Sequence, residues 1–296
     1  MDERADMELL QSQLTKYAKD VAALYRDLRT ENELLVKANR ELGEGFYDMV
    51  LMALDMITLH DDSLGGHCKR VAFYSDGLAT AVGIDGERIM NLKLAALLHD
   101  IGLLRLPRDA RLRILEGTEE SAEIIEIYQQ HPIVDIRPII SSERFAGIAE
   151  IISAHHEHLD GSGFPAGLKE PRIPLESRVI AITDAYDLIK HCKTRGTEPR
   201  LAIATMEMDA GTKYDVQFLN SFKKIVLEGD PFTSFVEIEM EDLAPGYILS
   251  EAIMTLSDVK MLSADTVLRE DHLEALAKYA KRWPLKLPIK IYLPQL

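Results

Sequence analysis

Residues His155 to Pro165 read HHEHLDGSGFP, two adjacent imidazoles followed by a carboxylate at Glu157 and a turn rich in glycine. Packing alone does not account for such a run, because a core helix has no use for neighbouring histidines. The preceding residues, AEIISAH, space their apolar side chains as a helix does, so the pair falls at a helix C-terminus. The helix dipole favours positive charge there, and a bound metal supplies it while the imidazoles stay neutral. Each neutral ring offers a lone pair to a borderline ion such as zinc, iron or manganese. Behind them, a turn built from Asp160, Gly161, Gly163 and Pro165 lets backbone approach a ligand closely.

Working outward, the next signal is LLHDIG, with His99 and Asp100 adjacent at the end of an apolar helix. That dipeptide sets a nitrogen ligand beside a carboxylate able to bridge two cations, and a buried ionised carboxylate needs a partner. His67 in GGHCKRV and His131 in QQHPIV also stand at the ends of apolar helical runs, where a capped surface group is the plainer reading of each alone. Asp184, in RVIAITDAYD, lies inside a strongly apolar helix, where an unpaired carboxylate is costly. Together these histidines and aspartates point to a polynuclear metal site in an all-α domain.

The helical stretches read from periodicity and Gly/Pro punctuation are about 67–82, 87–99, 119–131, 145–156, 176–191, 200–208 and 216–227, with no alternating strand among them. Before them, Met7, Leu14, Val21, Leu28, Leu35 and Leu42 keep a seven-residue beat. A second column of Leu10, Tyr17, Leu24, Glu31 and Ala38 completes an a/d seam. The alternative register puts Asn32 and Asn39 at a, and a long helix packed on its own domain is the competing reading. The beat ends near Gly43 to Gly45, and an apolar core helix follows from Phe46 to Leu59. After Pro231, FVEIEM and IKIYL alternate as strands do, DLAPGYIL holds a turn, and Glu270 to Ala280 is amphipathic. The expected architecture is therefore mainly α: a coiled-coil helix over 1–45, a helical bundle over 46–230 and a small α+β appendage over 231–296.

A net charge of −15 on 296 residues speaks against a binder of polymeric nucleic acid. No apolar run approaches the roughly eighteen residues of a membrane span, and the charged N-terminus has no apolar core of a signal peptide, so the expected location is the cytoplasm. Cys68 and Cys192 fit no CxxC spacing and read as reduced thiols. The coiled coil predicts a homodimer and, upstream of it, a sensor or receiver partner.

The order His67, His99-Asp100 in HDIG, His131 in HP, His155-His156-Glu157, Asp160-Gly161-Ser162-Gly163-Phe164-Pro165 and Asp184 resembles the HD-GYP domain, a branch of the HD superfamily of metal-dependent phosphohydrolases. The resemblance spans about residues 55–222. It implies hydrolysis of the bacterial second messenger cyclic di-GMP, or in some members another cyclic dinucleotide, at a di-iron or di-manganese centre. Carried onto this chain, the metal ligands are His67, His99, Asp100, His131, His155, His156 and Asp184, with Asp100 bridging and, with His99, closest to the chemistry. Asp160, Gly161, Gly163 and Phe164 would face the substrate, and Glu157 would orient a ligand imidazole from behind.

Several positions depart from the family pattern. Leu103 stands where the family carries Lys near the substrate phosphate, and Phe164 replaces the Tyr of GYP. Ser63 stands where members with a third metal carry a carboxylate, which implies two metals. The Arg-Pro-Tyr element is eroded, with Lys193 and Arg195 the nearest cations. Losing one such contact costs about 1.5 to 3 kcal/mol, roughly tenfold to a hundredfold in binding. A binding-only receptor or scaffold, and a phosphohydrolase for another nucleotide, are the competing readings.

Overall fold

The computed structural model describes residues 3–118, 121–134, 145–193 and 197–293. It divides into two compact units, Met1–Met49 and Val50–Leu296. The first unit belongs to one helix, α1 (Glu3–His60), which continues unbroken into the second. The helix runs straight through Gly43 to Gly45, where the seven-residue beat ends. A glycine costs a helix interior only about 1 kcal/mol relative to alanine, and the flanking Arg40, Glu41, Leu42 and Glu44 are good helix formers. The heptad residues Met7, Leu14, Val21, Leu28, Leu35 and Leu42 are all exposed along α1.

The second unit is mainly helical. Its core elements are α2 (Asp62–Ala81), α3 (Gly86–Leu98), α4 (Arg108–Glu116), α5 (Ala122–Val134), α6 (Ala146–Ser153), α7 (Leu175–Asp187), α8 (Pro199–Glu207) and α9 (Val216–Glu228). The α2 helix lies against α3, α7 and α9, and α6 lies against α3, so the chemistry-bearing segments face one another. The buried face of α2 carries Leu64, Val71, Tyr74 and Leu78, and that of α7 carries Val179, Ile180, Ile182 and Tyr186.

Two features were not legible in the periodicity. The α2 helix starts five residues before His67, capped by the Asp61 carboxylate, which accepts from the Leu64 N–H at 3.2 Å. His67 therefore lies within a helix rather than at its end. Gly65, inside this helix, allows close packing: a Cβ there would sit 2.0 Å from Thr58 Oγ1. The α4 helix was not expected at all, because RDARLRILE has too few apolar residues to show a stripe. Its C-terminus is set by Gly117 at φ +71°. From α4, Arg111 grips Asp61 through Nη2 at 2.5 Å and Nε at 3.1 Å, and also donates to the Leu106 carbonyl. That ties down the 3-10 turn Ile101–Arg105 that follows Asp100.

The C-terminal residues form β1 (Phe235–Ile238), β2 (Ile253–Met254), β3 (Lys260–Leu262), α10 (Glu270–Ala280) and β4 (Ile289–Tyr292). β1 pairs antiparallel with β4, Val236 opposite Ile291, and β2 pairs antiparallel with β3. A small core of Leu249, Ile253, Leu268, Leu276, Ile289 and Ile291 closes them. No described helix is long and apolar enough to cross a membrane.

Candidate metal centre

Five segments converge inside the helical unit. α2 supplies His67 from its second turn, and the end of α3 and the turn after it supply His99 and Asp100. α5 supplies His131 one residue before Pro132, and α7 supplies Asp184 one turn before its end. α6 stops at Ser153, so His155 and His156 lie in the turn just beyond the helix.

The ligand atoms fall into two groups among the described residues. His67, His99 and Asp184 form one, and Asp100, His131, His155 and His156 the other, each within 4.8 Å internally. Asp100 faces both: its Oδ2 lies 3.5 Å from His67 Nε2 and 3.6 Å from His99 Nε2, while its Oδ1 lies 3.1 Å from His131 Nε2 and 3.8 Å from His155 Nε2. Asp184 does the same more loosely, with Oδ1 3.1 Å from His67 Nε2 and Oδ2 4.0 Å from His156 Nδ1.

The protein satisfies the outward side of these rings and leaves the inward side open. Nδ1 of His99, His131 and His155 bonds the carbonyls of Ala96, Tyr128 and Ile152 at 2.8, 2.5 and 2.6 Å. A carbonyl only accepts, so Nδ1 carries the proton and the Nε2 lone pair of the neutral ring points inward. His67 Nδ1 has a carboxylate instead, Asp187 Oδ2 at 2.7 Å. Buried and without a hydrogen-bond partner are Nε2 of His67, His99, His131 and His155, together with Asp100 Oδ1. Five converging orphan atoms carry a large desolvation penalty unless a cation meets them. The donor set, imidazole nitrogen with two carboxylates, fits a pair of divalent transition-metal ions.

Electrostatics divides the two groups. Burial disfavours protonation of His67 and His99, but the surrounding carboxylates of Asp100 and Asp184, with Asp187 at His67, outweigh it and raise both well above an ordinary imidazole. Burial and neighbouring imidazoles act together on the other side, lowering His155 well below the ordinary range and His156 to about 3. Burial would raise Asp100, yet His99, His131 and His67 hold its carboxyl well below the usual carboxylate range.

The glycine-rich turn folds back over His156. Gly163 is packed so closely that a Cβ would lie 2.4 Å from the His156 carbonyl oxygen and the His158 nitrogen, and Gly161 adopts φ +82°. The Phe164 ring stacks on His156 at a centroid distance of 4.6 Å. Asp160 is exposed and accepts from the Ser162 N–H at 2.8 Å. Glu157 does not touch a ligand imidazole. It is buried and accepts from the Ala166 and Leu168 N–H groups at 2.7 and 2.8 Å, so its carboxylate shapes the turn. The side chain of Lys193 and the whole of Arg195 lie outside the described residues. Leu103 is fully buried.

Two groups escaped the sequence reading. Tyr128 places its hydroxyl 3.5 Å from His156 Nε2 and its ring 5.5 Å from that of Phe164. Asp187, three residues after Asp184, backs His67. Tyr128 lies one helical turn before His131 and Asp187 nearly one after Asp184, so the only available signal was helical spacing from a presumed ligand.

Residues 52–218 match the family described as HD domain. Over 238 residues the chain is 28% identical to a cyclic di-GMP phosphodiesterase of Thermotoga maritima, covering 75% of this chain and 64% of the relative. It is 29% identical to the cyclic di-GMP phosphodiesterase response regulator RpfG of Xanthomonas campestris pv. campestris, covering 55% and 43%. It is 30% identical to the 3'3'-cGAMP-specific phosphodiesterase 3 of Vibrio cholerae, covering 64% and 41%. The chain thus spans less than two thirds of the length of each of these relatives. The solved structure of Bd1817, a HDG"Y"P protein from Bdellovibrio bacteriovorus, shares the fold with a TM-score of 0.50 at 22% identity, over 64% of each chain. With more than half of its residues matched, the chain belongs to the HD domain family, as its resemblance to the HD-GYP branch leads one to expect.

Proposed function

We propose that the chain hydrolyses a phosphodiester bond of a cyclic dinucleotide, cyclic di-GMP foremost, at a pair of divalent iron or manganese ions. The observation that carries this reading is the set of five buried ring and carboxylate atoms that converge without hydrogen-bond partners, with the two oxygens of Asp100 turned to different imidazoles. Bound there, the ions would lower the pKa of water from about 15.7 towards about 7 and neutralise charge developing on the phosphoryl oxygens.

The side chains set up the rest. Carbonyls behind His99, His131 and His155 fix which nitrogen faces inward, and Asp100 spans both groups. Phe164 offers an aromatic face beside His156 on which a base can stack. Tyr128 brings a hydroxyl to the same edge, where Phe164 has none. The relatives named for cyclic di-GMP and for 3'3'-cGAMP make both nucleotides candidate substrates. The exposed apolar column of α1 supports a homodimer built on that helix, receiving a signal from an upstream sensor or receiver in the cytoplasm.

The test is to load the purified chain with reduced iron or manganese, supply each dinucleotide and separate the products. Linear dinucleotide or mononucleotide is expected, and no product at any loading overturns the reading. A binding-only role is the second reading, favoured by Leu103: a fully buried apolar side chain provides no cation there for a phosphate. Calorimetry that finds tight binding without accompanying hydrolysis would select it.

A further inference from the structure

We propose that the C-terminal appendage tunes the metal centre through one side chain, Asp265, a positioning residue that acts on His67 by way of Arg70 and Asp187. This rests on the reading of the clustered histidines as metal ligands, and not on the identity of the substrate.

The path is continuous. Asp265 lies between β3 and α10, buried, with Oδ2 accepting from Arg70 Nη1 at 2.6 Å. Arg70 donates through Nε to Asp187 Oδ1 at 2.7 Å and through Nη2 to Asp187 Oδ2 at 2.9 Å. Asp187 Oδ2 also meets His67 Nδ1 at 2.7 Å. Nothing bulkier than hydrogen is tolerated beside the first link: a Cβ on Gly66 would lie 2.6 Å from Asp265 Oδ2 and 3.1 Å from Arg70 Nη1. A neighbouring bond, Lys69 Nζ to Thr266 Oγ1 at 3.0 Å, seats the same segment on α2.

The charges give the link a direction. Arg70 is shared between two carboxylates. A carboxylate that accepts strongly from the outer N–H of a ligand histidine makes the inner nitrogen a better donor to metal. Asp265 draws part of the guanidinium away from Asp187 and leaves Asp187 more electron-rich towards His67. Neutralising Asp265 lets the cation bear more fully on Asp187, weakens its pull on the His67 proton and loosens a metal bound there. Asp265 also sits at φ +59°, a conformation that Asn accepts as readily as Asp, so Asp265→Asn removes charge without disturbing the backbone.

The experiment uses the full chain and manganese(II) alone. Dissociation constants come from competition with a chelator, and the electronic environment from the paramagnetic resonance spectrum of the loaded protein. Replacing an immediate partner of a metal-bound histidine costs about 10- to 100-fold in affinity. Asp265, two partners further out, is expected to cost about three- to tenfold on the same scale and to alter the spectrum. Arg70→Lys, which keeps the charge but loses the planar fork, should lower affinity too, and serves if Asp265→Asn does not fold. In an Arg70→Gln background, Asp265→Asn should change nothing further. Lys260→Gln removes the Lys260–Asp62 pair, 2.5 Å long between the appendage and the start of α2, and should leave affinity intact.

Unchanged affinity and spectrum in Asp265→Asn overturn the proposal, as does an equal loss in Lys260→Gln or an additive loss in the Arg70→Gln background. Failure of the unaltered chain to take up manganese overturns the metal-centre reading along with it. Uptake without hydrolysis of any dinucleotide overturns the activity alone.

Discussion

The two halves of the candidate metal centre use the same side chains and solve different electrostatic problems. His67 and His99 face Asp100 and Asp184, with His67 backed by the Asp187 carboxylate. His131 and His155 are backed by main-chain carbonyls alone, and His156 stands at the edge against Tyr128 and Phe164. The first half sets two imidazoles among the carboxylates of Asp100, Asp184 and Asp187, and the second crowds three imidazoles around the shared Asp100. An ion beside His67 and His99 therefore replaces protons, whereas one beside His155 and His156 does not.

The sharpest way to break this comparison is to remove the one residue that both halves share. Asp100→Ala should abolish retention of both metals, by more than the hundredfold that loss of an outer partner reaches. His156→Ala should lose one metal and keep the other. Metal content per chain after gel filtration distinguishes the two, and equal losses would show that the halves are not separable.

Acidity provides the next test. In the metal-free protein, His67 and His99 titrate above the ordinary range and hold a proton at neutral pH, while His155 and His156 do not. Uptake by the first half should release protons near neutrality, so its affinity falls as pH falls, about tenfold per pH unit for each proton released. His155 and His156, both lowered by burial and by neighbouring imidazoles, should release none there. Calorimetry in buffers of different ionisation enthalpy counts the protons, and none released would contradict the assignment.

Asp187→Asn tests the backing of the first half directly and should weaken manganese binding there by about 10- to 100-fold, with the second half unaffected in a two-site titration. The smallest effect is expected at the rim. Tyr128→Phe removes a hydroxyl that faces His156 and should cost about 1 kcal/mol, roughly fivefold in kcat/KM, with metal content unchanged. A loss of metal instead would move Tyr128 from the rim into the support of the centre.

How much of this was legible in the chain depended on the kind of signal. His155-His156, His99-Asp100 and the glycine turn stand out locally, because clustered imidazoles and glycines are poor core material. Helices with a clear apolar stripe were also readable: the expected Glu270 to Ala280 agrees with α10. Polar α4 and the start of α2 were not, since a cap and a tertiary ion pair, Asp61 with Arg111, stabilise them instead of a local pattern. Glu157 shows the same limit. Its place beside the histidines suggested a role on an imidazole, but direction in space turned its carboxylate to the Ala166 and Leu168 amides.

By itself the sequence determined the helical class, the ligand types and the order in which they occur, because periodicity and residue chemistry are carried by neighbours along the chain. Only the tertiary structure decided that Asp100 turns one oxygen to each group of histidines, that Tyr128 shares the rim with Phe164, and that Asp265, nearly two hundred residues from His67, reaches it through Arg70 and Asp187. Those are contacts between distant segments. Distance along the chain does not encode them, and packing of α2 against α7 and the appendage creates them.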